Sequence, residues 1–253
     1  MTPAQAQQPE VSTEAANQPR NLTARMRARL EITSEILDSA RRQLAREGAS
    51  GLSLRAIARD LDMASSAIYR YFPSRDDLLT ALIVAAYDSV GDVADQALAE
   101  SVGSGDAPAE SFRAVWRAVR RWALDHRHEY ALIFGSPVPG YQAPQATIGA
   151  ASRLPEVLLT ILIETKPAPQ PDPDGRNGSL AAAVAPLRSK LPTHLLSDEV
   201  LLRALTSWSA LFGAISFELF GHTHNVIDDD PAVRDSYFDA QIDLMLSMIG
   251  FSD

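Results

Sequence analysis

The chain has 253 residues, 46% of them hydrophobic and 22% charged, enough for a soluble globular protein with a large core. It has no cysteine, which excludes disulfides and thiol-ligated metals and fits a reducing cytoplasm. The net charge of −9 is uneven: residues 20–75 hold 11 Arg against 6 Asp and Glu, while residues 76–253 hold 12 basic against 24 acidic residues.

In chain order, residues 1–19 lack the apolar stretch of a signal peptide and are expected to form a disordered arm. Leu30, Ile32, Ile36, Leu37, Ala40 and Leu44 recur at helical spacing up to Gly48, which predicts a first helix. Ser53 caps a short helix through Leu54, Ile57, Ala58 and Leu61, and a helix of about two turns follows from Ser65 to Tyr71. Phe72 precedes Pro73, which drives it out of the α region and closes that helix. Ser74 then opens a long helix as a capping box with Asp77, its apolar side running through Leu78, Leu82, Ala85 and Ala86.

Beyond a flexible break expected at 101–110, Phe112, Val115, Trp116, Val119 and Ala123 form one apolar helical face, and 129–135 continue in helical character. Residues 136–144 read as a proline-ordered loop. A helix through 154–164 ends before an exposed connection, expected to be mobile at about 166–179. Two long helices finish the chain. One starts near Asp198 and holds Leu201, Leu205, Trp208, Leu211, Phe212 and Ile215; the other has Asp230 as cap and Pro231 at its first position, and ends before Gly250. The longest apolar runs fall short of the ~18 residues of a membrane span. The pattern predicts an all-α chain, with a three-helix head at 20–75 and a larger helical bundle at 76–253.

The basic head points to a polyanion partner, the acidic remainder to self-association or small-molecule binding. Two short helices joined by residues 61–64 make a helix-turn-helix, which offers its second helix to a DNA major groove. Ile68, one face of Tyr69 and Phe72 are expected to pack inward, leaving Ser65, Ser66, Tyr69, Arg70 and Tyr71 to face outward. Arg70 suits two-pronged recognition of guanine, with about 1–3 kcal/mol of discrimination per contact. Tyr71 and Arg75 suit phosphate clamping, and Arg20, Arg25, Arg27 and Arg29 are read as an arm reaching phosphates or a minor groove. The alternative makes the tyrosines half-buried packing residues and the arginines the solvated face of a small bundle.

The stretch LSLRAIARDLDMASSAIYRYFPSRDDLL, within roughly 25–82, resembles the DNA-binding domain of the TetR family of bacterial transcription regulators. The resemblance implies that Ser53, Arg55, Ser65, Ser66, Tyr69, Tyr71 and Arg75 sit where family members contact DNA, Arg75 in the place usually held by a lysine. The turn position commonly filled by Gly is Asp62, and Asp tolerates a left-handed backbone better than most residues. Two later stretches, WALDHRHEYALIFGSPVPGYQAP and WSALFGAISFELFGH, resemble the C-terminal ligand-binding region of TetR-type regulators with a Trp-x-x-Leu-His-Gly signature. Phe212 stands in the place of its histidine. The resemblance implies a cytoplasmic homodimeric regulator, a repressor that leaves a pseudo-palindromic double-stranded DNA operator when a small-molecule effector binds.

In the last helix Phe238, Ile242, Met245 and Ile249 form one apolar stripe, and Tyr237, Leu244 and Met248 another. Such a helix needs two neighbours, its own core and a symmetry mate. A four-helix dimer interface is therefore expected through Trp208, Phe212, Phe238, Ile242, Met245 and Ile249; the alternative puts both stripes in one intramolecular core. Trp116, Trp122, Phe134, Tyr141 and Phe217 are candidate walls of a small-molecule pocket, or plain core. The pairs His126 with His128 and His222 with His224 diverge on a helix, so helix-end contacts are expected rather than a metal. No G-x-S-x-G, phosphate loop or H-E-x-x-H occurs, so neither catalytic residues nor a cofactor are expected. Two rival readings remain, a DNA-binding dimer without an effector and a helical enzyme or scaffold.

Overall fold

The computed structural model describes residues 23–167, 177–188 and 195–251, and among these all regular structure is helical. The expected arm at 1–19, Arg20, and most of the connection at 166–179 lie outside the described residues.

Helix α1 (Ala24–Glu47) starts on Thr23, whose hydroxyl accepts the Met26 amide, and stops at Gly48, which takes a φ of 68°. Arg25, Arg27 and Arg29 are therefore the first turns of a helix, not an arm. Apolar spacing begins only at Leu30, so the exposed polar start of the helix left no periodic signal. Helices α2 (Leu54–Asp60), α3 (Ser65–Ile68) and α4 (Arg75–Ser104) complete the head. Its core gathers Ile36 and Ala40 of α1, Ile57 and Ala58 of α2, Ile68 of α3, and Leu78, Leu79 and Leu82 of α4. Full burial of each Leu or Ile contributes about 1.5–3 kcal/mol.

Helix α4 continues into the body, where Val90 and Ala94 join the second core. The boundary expected at 75–76 thus falls at the start of a helix shared by both cores. The break expected at 101–110 shrinks to three residues: α4 persists to Ser104, Gly105 caps it at φ 77°, and Pro108 opens the next helix.

The body holds α5 (Pro108–Asp125), α6 (Arg127–Phe134), α7 (Ile148–Thr165), α8 (Asn177–Arg188), α9 (Asp198–Leu219) and α10 (Pro231–Ile249). Helix α8 was not expected, since Gly178 and Pro186 within it argue against a helix. Ser197 caps α9 through the Val200 amide, and Asp230 caps α10 through those of Ala232 and Val233. Trp116, Val119, Tyr130, Ile161, Leu211, Ile215 and Ile242 sit fully enclosed at the centre. Residues 145–165 and α9 have the length and hydropathy of membrane spans. Part of each faces the core, through Leu158, Ile161 and Leu162 on α7 and Leu201, Leu211 and Ile215 on α9.

One expectation needs correcting. Phe212, Phe238, Ile242 and Ile249 are buried inside the chain's own core, with Trp208 and Met245 packed against it. Those four form the inner stripe and are not available to a symmetry mate, whereas Trp208 and Met245 stay half-buried. The outward apolar residues of α9 and α10 are Leu205, Phe217, Val233, Tyr237 and Leu244, each more than a third exposed. Both stripes are apolar, so side-chain identity alone does not say which faces in.

Candidate nucleic-acid interface

Caps and one strained turn build the helix-turn-helix. Ser53 Oγ accepts the Ala56 amide at 3.4 Å, while the buried Gln43 side chain accepts the Ser53 amide at 3.0 Å, which fixes the start of α2. Past α2, Asp62 takes a φ of 51° and the Met63 amide donates back to the Ala58 carbonyl at 2.8 Å. This is the left-handed turn that the residue type allows. Helix α3 is one regular turn, shorter than the expected Ser65–Tyr71. Beyond it the Tyr71 and Phe72 amides still donate to the Ile68 carbonyl, at 2.9 and 3.0 Å. Ser74 then accepts the Asp77 amide at 3.1 Å and donates to the Asp77 carboxylate at 2.7 Å, a variant of the capping box that starts α4.

Burial sorts the side chains. Ile68 and Phe72 anchor α3 and the following turn in the head core. Ser65, Ser66, Tyr69 and Arg70 stand in solvent, Tyr69 at 41% exposure. Arg55 on α2 and Arg25 on α1 are exposed as well. Ser53 is half-buried, its hydroxyl engaged in capping α2. Tyr71 and Arg75 are also half-buried, and each already has a partner. The Arg29 guanidinium lies 5.2 Å from the centre of the Tyr71 ring and donates to the Arg70 carbonyl at 3.3 Å. Arg75 donates to the Ala49 carbonyl at 2.6 Å and lies 3.6 Å from the Asp76 carboxylate. Sequence reading missed this bracing role of Arg29, because a contact between residues so far apart in the chain has no local signature.

Electrostatics separates head from body. Among the described residues, exposed Arg25, Arg27, Arg55, Arg59 and Arg70 meet no carboxylate at ion-pair distance. In the body, by contrast, Arg113 pairs with Asp243, Arg117 with Asp239, Arg120 with Glu218 and Arg153 with Asp95, all at 2.6–2.7 Å. Those five arginines of the head carry no ion pair, whereas these four of the body are neutralised by carboxylates. Polar contacts tie head to body, among them Arg41 to Glu129 at 2.8 Å and the Thr80 and Tyr141 hydroxyls at 2.9 Å.

The five candidate ligand walls do not converge. Only Trp116 lines the apolar cavity of about 150 Å³ between α5, α7, α9 and α10. Trp122 donates its Nε1 hydrogen to Ser89 at 2.8 Å and stacks on His126. Phe134 packs on Phe212 with ring centres 4.3 Å apart, Tyr141 lines a separate hollow beside α4, and Phe217 is 57% exposed. Trp116 and Trp122 are six residues apart on one helix, which turns them to different faces at 3.6 residues per turn. His126 Nδ1 lies 2.9 Å from the Trp122 carbonyl at the end of α5, the expected helix-end contact. No group of three or more His, Asp and Glu is placed to hold a metal among the described residues.

Comparisons with known proteins agree with this architecture. Residues 36–82 match the family model described as bacterial regulatory proteins, tetR family, and residues 112–245 match that of the tetracyclin repressor-like C-terminal domain. The HTH-type transcriptional regulator Rv1816 of Mycobacterium tuberculosis is 38% identical over 233 residues, covering 88% of this chain and 94% of its own. Mb1846 of Mycobacterium bovis, also an HTH-type transcriptional regulator, matches to the same extent. Among solved structures, the regulatory protein SCO4313 superposes with a TM-score of 0.72 at 34% identity, over 89% of this chain and 100% of that one. The regulator PfmR of Thermus thermophilus shares the fold, with a TM-score of 0.53 at 20% identity over 86% of this chain and 99% of its own.

Proposed function

The chain belongs to the TetR family of bacterial transcriptional regulators, and from that premise we propose that it is a cytoplasmic homodimeric repressor which grips a pseudo-palindromic operator and lets go when a small molecule binds the body. Its family and relatives are regulators rather than enzymes. The observation that carries the operator reading is the solvent-facing set Ser65, Ser66, Tyr69 and Arg70, held on the buried anchors Ile68 and Phe72 and flanked by unpaired arginines. Small hydroxyls there allow close approach to the groove, Arg70 offers a forked donor to a guanine edge, and Tyr71 and Arg75 flank them for phosphates. Arg25, Ser53 and Arg55 are assigned supporting contacts from the first turn of α1 and from the start of α2.

Pairing of two chains is supported by the outward apolar strip on α9 and α10, where Leu205, Phe217, Tyr237 and Leu244 lie against solvent in a single chain. Two such pairs form a four-helix interface that sets two α3 helices one DNA turn, about 34–36 Å, apart. The apolar cavity beside Trp116 favours a ligand-responsive regulator over a dimer without an effector. Genomic fragments captured by the wild-type protein and sequenced test the reading. The expected result is enrichment of pseudo-palindromes with half-sites one helical turn apart, lost for the Tyr69→Ala, Arg70→Ala double variant. Equal capture by both proteins, or no enriched sequence, refutes it.

A further inference from the structure

The cavity between α5, α7, α9 and α10 has a volume of about 150 Å³, the size at which an apolar void in a protein core admits a benzene-sized ring. Phe112, Trp116, Leu158, Leu201 and Trp208 are among its walls, and among the described residues no charged side chain lines it and Ser207 supplies its one hydroxyl. Two of the lining residues break the apolar pattern. Trp116 and Ser207 are 0% and 1% exposed, yet among the described residues neither Trp116 Nε1 nor Ser207 Oγ has a hydrogen-bond partner. Comparable buried groups in the same core are satisfied: Trp122 Nε1 donates to Ser89 at 2.8 Å, and the Tyr130 hydroxyl donates to the Phe212 carbonyl at 3.1 Å. An unpaired buried polar group is destabilising, and Trp116 on α5 and Ser207 on α9 put two such atoms on residues that line one cavity, where a ligand can bring a polar atom to them.

We propose that this cavity binds an uncharged, largely apolar molecule of about one ring that carries a single oxygen acceptor. That oxygen receives the Trp116 Nε1 hydrogen, and the Ser207 hydroxyl is its second partner. A carboxylate or phosphate would lose its hydration there with no counter-ion among the lining residues to offset it. A hydrocarbon would fit but leave both orphan atoms unpaired. Leu205 lines the cavity and is also 38% exposed on the outward side of α9, so the site borders the helix assigned to the dimer surface. That the bound molecule acts as the effector rests on the function proposed above; the chemical class stands on the cavity alone.

Calorimetric titration of the full chain with acetophenone, ethylbenzene and benzoate tests the assignment, because the three share a ring and differ in one oxygen or in charge. Acetophenone is expected to bind one per chain, at least tenfold tighter than ethylbenzene, with benzoate giving no measurable binding. Trp116→Phe is expected to keep ethylbenzene binding while losing most of the preference for the ketone, and Ala204→Phe to fill the cavity and abolish both. The Trp116 variant decides the matter even if the overpacked Ala204 variant does not fold. Equal affinity for ketone and hydrocarbon, a preference for benzoate, an undiminished ketone preference in Trp116→Phe, or no binding of any probe overturns the proposal. Operator affinity measured with and without acetophenone is read separately. Binding as described with unchanged operator affinity sinks the effector reading and leaves the ligand class standing.

Discussion

At the scale of single residues, the proposed interface divides labour between side chains that stand free and side chains already braced. Tyr69 and Arg70 are exposed and meet nothing that would be lost with them, so Arg70→Ala is expected to cost about 1–3 kcal/mol of operator binding and relax sequence preference, with the fold intact. Arg75 differs, since its bond to the Ala49 carbonyl holds the guanidinium in place before DNA arrives. Arg75→Ala is expected to weaken binding across all sequences and to lower the slope of log affinity against log salt by about one, as read from anisotropy titrations at several salt concentrations. Asp60 makes a pH-dependent bond within the head. The Ser39 hydroxyl at 2.5 Å, then Arg42 at 2.9 Å, hold its carboxyl below the ordinary aspartate range. A depressed carboxyl stabilises the fold above its unfolded value, near pH 4, and that contribution fades as pH falls through the lower folded value. The thermal midpoint of Asp60→Asn is therefore expected to lie below wild type at pH 7, with the gap narrowing below about pH 4.

Among the elements, the helix-turn-helix shows local chemistry overriding an unfavourable backbone. Asp62 at φ 51° sits where glycine costs least, and the Met63 to Ala58 hydrogen bond holds it there. Asp62→Gly is expected to raise the stability of the head by roughly 0.5–1 kcal/mol, seen as a higher midpoint in chemical unfolding, without loss of operator binding. Signals of this kind were legible because they are local: Ser53, Ser74 and Asp230 each bond an amide two or three residues on, and each marked its helix start. The start of α1 was not legible, because its first turns are polar and solvent-facing and carry no apolar period. Helix α8 was hidden by its own Gly and Pro. On α3, one regular turn followed by looser turns replaces two turns of helix, since Pro73 cannot continue the ladder.

For the whole molecule, the arrangement rests on α4, whose first half packs in the head and whose middle packs in the body. This helix, together with the Arg41–Glu129 and Thr80–Tyr141 contacts, joins the body to the head. Pairing is the second part of the proposed function. Phe217→Glu combined with Leu244→Glu places charge on the proposed contact face without touching the core, and is expected to convert a dimer to a monomer in sedimentation at micromolar concentration. Operator affinity is expected to fall at least tenfold with it, as two half-sites are no longer held by one particle. A wild-type chain that sediments as a monomer contradicts the pairing.

The sequence by itself determined the helical class, the helix-turn-helix with its left-handed Asp62, most helix caps and the basic head on an acidic body, because each of these is written in neighbouring residues or in composition. It also identified two apolar stripes on α10. Only the tertiary structure decided that Phe238, Ile242 and Ile249 face inward while Tyr237 and Leu244 face outward, and that Trp116 alone of five aromatic candidates meets the cavity. The reason is physical: helical period tells which residues share a face, but the direction a face points is fixed by what packs against it, and those partners lie scores of residues away.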